Sequence, residues 1–200
     1  MRFALVLTFA LTSAMALALG GCATPPPPAP KAEIGFSGAP LKMDVASARL
    51  DNRYQPPGRA PNVEQLHAVT PSTVASRWLE TRVVPVGPSG EAVLTVLDAR
   101  VVEEKLPVKG GLTGFFGDQL DSRFTGTLRA KLTVTRSMPN GGFSNYEAVA
   151  SVKAEQTVLQ SADLNERDQV YFDVTKKLAS EFDRAMSAEV ARVMGPVLRR

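Results

Sequence analysis

Residues 123–135 alternate without interruption. Phe124, Gly126, Leu128, Ala130, Leu132 and Val134 are apolar or small, and Arg123, Thr125, Thr127, Arg129, Lys131, Thr133 and Thr135 between them are polar. Successive side chains of a strand point to opposite faces, so this segment is a strand with one face in a core and the other towards solvent or a partner. A helical period does not fit it. Pro139, Asn140, Gly141 and Gly142 then turn the chain, and Tyr146, Ala148, Ala150, Val152 and Ala154 resume the period of two, which predicts an antiparallel hairpin.

The other elements fall around this hairpin. Leu41, Met43 and Val45 alternate before Ala48 and Leu50 shift the face, so residues 41–50 read as a first strand with a bulge, stopped by Pro56, Pro57 and Gly58. Thr70 and Pro71 form a helix start, with Val74, Ala75, Trp78 and Leu79 at helical spacing; Trp78 is expected to lie on a sheet. Residues 91–105 are rich in Val and Leu on both faces, as a central strand would be. Asp163 or Asn165 caps a last helix in which Val170, Val174, Leu178, Phe182, Met186, Val190 and Val193 repeat at four and three, and Gly195 and Pro196 end it. The order β-α-β-β-β-α implies an α+β fold. It is a two-layer sandwich, with a sheet of about four mostly antiparallel strands and two helices on one face.

Apolar residues at 44% and charged residues at 22% are those of a chain that builds a core. The 23 basic and 20 acidic side chains are interspersed, so no nucleic-acid-binding patch is expected. Ahead of the domain, residues 3–19 run without a charge behind Arg2 and end in Leu19, Gly20, Gly21 and Cys22, the chain's only cysteine. That is the pattern of a signal peptide, assigned to residues 1–21. Thr24 and the prolines from Pro25 to Pro30 favour an extended, stiff path. Residues 22–40 are accordingly read as a tether and residues 41–200 as a single domain, which the resemblance described next would place in the periplasm.

The segment ending in Cys22 resembles the lipobox of bacterial lipoproteins. The resemblance implies cleavage before Cys22, an N-acyl diacylglycerol on that residue, and a membrane held through the lipid; Ala23 at the next position implies sorting to the outer membrane. Together with the order of elements, the lipobox also makes residues 43–197 resemble two groups. One is the lipopolysaccharide-assembly lipoproteins, whose acidic opening to the final helix is similar to Ala162, Asp163, Leu164, Asn165, Glu166, Arg167 and Asp168. The other is the auxiliary lipoproteins of lipid-transporting ABC systems. Both imply the same sandwich, an envelope setting, and a partner that is a barrel or transporter component or a lipid.

No catalytic constellation is legible. One histidine and one cysteine assemble neither a multi-histidine metal site nor a Cys-His dyad, and without a G-x-S-x-G element His67 reads as a solvated loop histidine. Glu103 and Glu104 point to opposite faces of a strand, and Asp118 with Asp121 lacks a calcium loop's ligand density, so these read as solvated charge. Gly110, Gly111 and Gly114 lack the Lys and Ser or Thr of a phosphate loop.

Two regions are candidates for binding. The connection over residues 106–122 carries Leu112, Phe115 and Phe116 and either touches a barrel, a lipid or another subunit or folds back over the sheet edge. Arg123, Arg129 and Lys131 share a face that either meets phosphorylated glycolipid or is simply solvated. The expectation is a non-enzymatic lipoprotein, outer-membrane-anchored and facing the periplasm, without metal or other cofactor. It would act in envelope assembly or lipid transport by binding a protein or a lipid. The alternative is a structural or stress-related envelope lipoprotein that self-associates.

Overall fold

A computed structural model describes residues 34–107, 119–138 and 141–199. In chain order its elements are β1 (Leu41–Met43), β2 (Ser47–Asn52), α1 (Pro71–Arg82), β3 (Val83–Pro85), β4 (Glu91–Asp98), β5 (Val101–Lys105), β6 (Leu120–Ser137), β7 (Phe143–Leu159) and α2 (Leu164–Val193). β6 and β7 pair antiparallel along their whole length, from Ser137 opposite Phe143 to Leu120 opposite Leu159. The Met138 N–H donates to the Gly142 carbonyl at 2.7 Å beside Gly141, whose φ of 86° suits the glycine that the turn placed there.

The fold is α+β, as the pattern implies. The sheet is four strands wide, because β4 and β5 lie end to end along one edge of β6, opposite residues 129–135 and 122–126, while β7 takes the other edge. The stretch read as one central strand is thus interrupted at Ala99 and Arg100, and the Arg100 carbonyl accepts from Thr127 N–H at 2.9 Å across the break. β2 flanks β4 and runs parallel to it, which the α1 crossover between them requires.

The opening of the domain differs from the single bulged strand expected. Residues 41–50 divide between two sheets, β1 pairing parallel with β3 and β2 with β4. Asp44 lies at the break. Its carboxylate is buried and receives Arg136 Nη1 at 2.8 Å and Arg199 Nη2 at 2.6 Å, and its N–H donates to Val197 O at 2.8 Å. A strand that continued straight could not turn this carboxylate to those guanidinium groups. Ile34 and Phe36, inside the stretch assigned to the tether, also pack on the core.

Both helices start where the sequence places them. Thr70 Oγ1 accepts from Thr73 N–H at 3.2 Å while Thr73 Oγ1 accepts from Thr70 N–H at 2.6 Å, with Pro71 in the first turn. Of the two candidates for the second cap, Asp163 takes the role. Its Oδ1 accepts from Glu166 N–H, and Glu166 Oε2 accepts from Asp163 N–H, both at 2.9 Å. Val174, Leu178, Phe182, Met186 and Val190 of α2 are fully buried. They lie with α1 on the sheet face carrying Phe124, Leu128, Ala130, Leu132 and Val134. Trp78 meets Phe182 edge-on with 5.6 Å between ring centroids, so it is held by α2 as well as by the layer beneath.

Gly126 sits where α2 comes closest to β6. A Cβ there would lie 3.1 Å from Val174 Cγ1 and 3.5 Å from Leu178 Cδ2, and the two methyl groups of a valine find no room beyond it. Gly126→Val is expected to cost about 1–3 kcal/mol through overpacking. Thr127→Val on the opposite face is expected to stay within about 0.5 kcal/mol of the parent. Thermal unfolding of the two variants side by side checks both.

Candidate functional site

The helices cover one face of the sheet and leave the other open, and alternation decides what that open face carries. Across its width run Arg49, Val93, Thr133 and Glu147 in one row and Asp51, Thr95, Lys131 and Val149 in the next. With Arg53, Leu97 and Arg129 they line a shallow depression. Leu97 and Val149 are 40% and 42% exposed. In β4, a central strand of the sheet, only the even positions Ala92, Leu94 and Val96 enter the core, with Thr95 buried among its neighbours. β4 is the central strand that residues 91–105 were expected to hold, flanked by β2 and β6. Of its outward apolar residues, Leu97 is exposed and Val93 half-buried, and neither helix lies over them.

Charge on this face is balanced, not simply basic. Arg49 Nε pairs with Glu91 at 2.9 Å, Arg53 Nε with Asp51 at 2.8 Å, and Lys131 Nζ with Glu147 at 2.9 Å. Arg129 is exposed and makes no ion pair or side-chain hydrogen bond among the described residues. Arg123 lies farther along the same face, where its hydrogen bond to Glu104 at 2.7 Å holds its pKa above the usual value. The structure thus places Arg123, Arg129 and Lys131 on one face, two of them neutralised by a carboxylate. Exposed pairs of this kind contribute about 0–1 kcal/mol each, so they can exchange partners when another surface approaches. Cys22, Leu112, Phe115 and Phe116 lie outside the described residues, as does Asp118.

The second polar region is at the N-terminal end of α2, and sequence reasoning missed most of it. Glu64, in a short 3-10 turn, is 1% exposed. It accepts from Tyr54 Oη at 2.5 Å, from Asn62 Nδ2 at 3.3 Å and from the Val101 N–H at 3.0 Å. Burial first, and then the adjacent Glu64 carboxylate, push the Tyr54 hydroxyl far above its ordinary pKa. Beside it, Arg167 of α2 bridges Glu103 and Asp121, with Nη1 3.0 Å from Asp121 Oδ2, and Lys105 Nζ reaches the same Asp121 oxygen at 2.7 Å. Lys105 and Arg167 hold the Asp121 carboxyl below its usual range. Glu103 faces α2 and Glu104 faces Arg123, so the two do point to opposite sides. Glu103 and Asp121, however, are partnered, not simply solvated.

His67 is also not the solvated loop residue expected. Its ring stacks on Tyr171 with centroids 3.5 Å apart, and its Nδ1 lies 3.4 Å from Asp168 Oδ1. Burial lowers its pKa, outweighing the opposing pull of Asp168 and Glu103. No nucleophile hydrogen-bonds its imidazole among the described residues, and no group of three or more His, Cys, Asp or Glu is placed there to hold a metal ion. The arrangement ties the loop before α1 to α2. No helix among the described residues is long and apolar enough to cross a membrane.

No family model matches the chain, and no curated protein matches it. Solved structures with a similar course of the chain include a minor lipoprotein from Acinetobacter baumannii, at 16% identity and a TM-score of 0.38 over 80% of this chain and 99% of that one. Rare lipoprotein B from Shewanella oneidensis matches at 11% identity and a TM-score of 0.35, covering 73% and 97%. A Xanthomonas campestris protein matches at 7% identity and a TM-score of 0.30, covering 77% and 91%.

The lowered pKa of His67 sets a pH dependence. In the native state it stays neutral while the unfolded chain takes up a proton as the pH falls through about 6.5, so stability present at pH 7 is lost on acidification. As the only histidine, it is the side chain expected to act in this window. The melting temperature is expected to fall between pH 7.5 and 5.5, and His67→Phe, which keeps a ring on Tyr171, to flatten that slope. Calorimetry across the pH series checks it.

Proposed function

We propose that this chain is a non-enzymatic lipoprotein, anchored to the outer membrane through lipidated Cys22 and facing the periplasm. In this reading it uses the open face of its sheet to bind another envelope protein during envelope assembly or lipid transport. The observation that carries the reading is the exposure of Leu97 and Val149, with half-buried Val93 between them, on that face among charges of both signs. Apolar spots inside a rim of paired charges are the anatomy of a protein interface, and both signs offer a partner complementary positions. An anionic glycolipid surface would favour an excess of cations. Here Asp51, Glu91 and Glu147 offset Arg49, Arg53 and Lys131, and among the described residues lining the depression Arg129 is the one cation left without an ion pair. The leader-like opening and the proline-rich composition of residues 25–30 suit a domain held off a membrane by a spacer. Leu112, Phe115 and Phe116 are proposed as a second contact with the same partner.

The test is site-specific photo-crosslinking in intact cells from Leu97 and from Phe116, with Cys22 present. A discrete barrel or transporter subunit captured from both positions is expected. Lipid adducts alone would replace the protein partner by a lipid, and no adduct would overturn the reading. Leu97→Asp with Val149→Asp is expected to abolish the capture from Phe116 while leaving the melting temperature within a few degrees, because both side chains are already exposed. Cys22→Ser is expected to move the protein from the membrane to the soluble periplasmic fraction on cell fractionation.

A further inference from the structure

β7 is an edge strand of 17 residues. It pairs with β6 alone among the described residues. Ordinary strands run about five or six residues, and proteins blunt longer edges with proline, bulges or inward-pointing charge. β7 contains neither proline nor glycine, and its one register irregularity lies at its far end, beside Leu120 and Ser122. Ala148, Ala150 and Ala154 beneath α2 are small and buried, while Glu147, Val149, Ser151, Lys153 and Glu155 stand on the open face.

The parity of the hairpin shows which backbone groups are free. Met138 N–H donates to Gly142 O, so that pair is hydrogen-bonded and every second pair from it turns its groups inward. The even residues of β7 are therefore spent on β6, and the odd residues aim their N–H and C=O groups outward. A strand that docks on this edge meets the backbone of Glu147, Val149, Ser151 and Lys153 together with their side chains on the open face.

We propose that the occupant of this edge is β7 of a second copy, paired antiparallel about a two-fold axis through Ala150. In that register residue i faces residue 300 − i, so odd faces odd and the outward groups meet each other. Glu147 of each copy then stands opposite Lys153 of the other, giving two equivalent ion pairs. Val149 faces Ser151, and Ala150 faces itself. A two-fold contact has to be self-complementary, and the order Glu147, Val149, Ser151, Lys153 is so in charge. Neither charge is locked elsewhere: Glu147, itself exposed, meets half-buried Lys131 at 2.9 Å, and exposed Lys153 meets exposed Glu155 at 3.1 Å. The axis stands perpendicular to the sheet, so both helical layers lie on one side and the two open faces join into one surface eight strands wide. This inference is independent of the partner-binding reading, and either can fail without the other.

The experiment uses the full lipidated chain in detergent, with mass measured by sedimentation equilibrium over a range of concentrations. The parent is expected to be a dimer. Glu147→Lys, which sets lysine opposite Lys153 twice, and Lys153→Glu, which sets two glutamates opposite Glu147, are each expected to weaken association about tenfold or more. The double variant Glu147→Lys with Lys153→Glu is expected to restore it, and circular dichroism on all variants reports the fold. Ser151→Pro removes an outward N–H without touching the β6 ladder and is expected to abolish the dimer. A monomeric parent, single reversals that leave the dimer intact, or a double variant no better than the singles would each overturn the proposal.

Discussion

The close approach of α2 to β6 over Gly126, where Val174 comes within 3.1 Å of the position a Cβ would take, seats the long helix along the hairpin. From that contact the inward row of Val174, Leu178, Phe182, Met186 and Val190 covers the even face of β6 and β7. Phe182 in turn supplies the surface against which Trp78 of α1 is held. A bulkier residue at position 126 would lift the helix and loosen each of these contacts in turn, because close-packed interiors transmit strain over several neighbours.

Buried polar groups then fix how the remaining pieces meet this frame. Asp183 of α2 accepts from Trp78 Nε1 at 2.8 Å and from Arg82 Nε at 2.7 Å, and Arg82 also donates to the Ala39 carbonyl and to Ser187 Oγ at 3.0 Å. One carboxylate thus joins both helices, and Arg82 joins them to the entering chain. Asp44 does the same for β1, β6 and the C-terminal segment through Arg136 and Arg199, and Glu64 for the loop before α1. Removing the partners of a buried charge such as Asp44 or Arg82 is costly because that charge is left desolvated and unmatched. These ties therefore orient elements more than they add net stability.

With the helices all on one side, the opposite face of the sheet is left to whatever the odd positions carry. Those positions combine valine and leucine with ion pairs whose members are exposed or half-buried. The polar network around Glu64, Arg167 and His67 lies on the helical side and serves the fold. The two faces of the same strands thus differ in kind: the ties between elements lie on one, and exposed apolar and charged side chains on the other.

Much of this was legible along the chain. The unbroken alternation over residues 123–135, the turn at Gly141, the caps at Thr70 and Asp163 and the inward row of α2 are local patterns, and local patterns suffice for a strand period, a helix start and an apolar face. They carry the α+β class and the side on which Arg123, Arg129 and Lys131 stand. Only the tertiary structure decided that the first strand divides at Asp44 between two sheets, since the guanidinium partners of Asp44 are Arg136 and Arg199, far away in sequence. The same holds for Glu64 and His67, whose surroundings come from Tyr54, Val101 and Tyr171. It holds most clearly for Val93 and Leu97: their apolarity is written in the sequence, but whether a helix covers them depends on which face of the sheet both helices choose, and that choice is made by long-range packing.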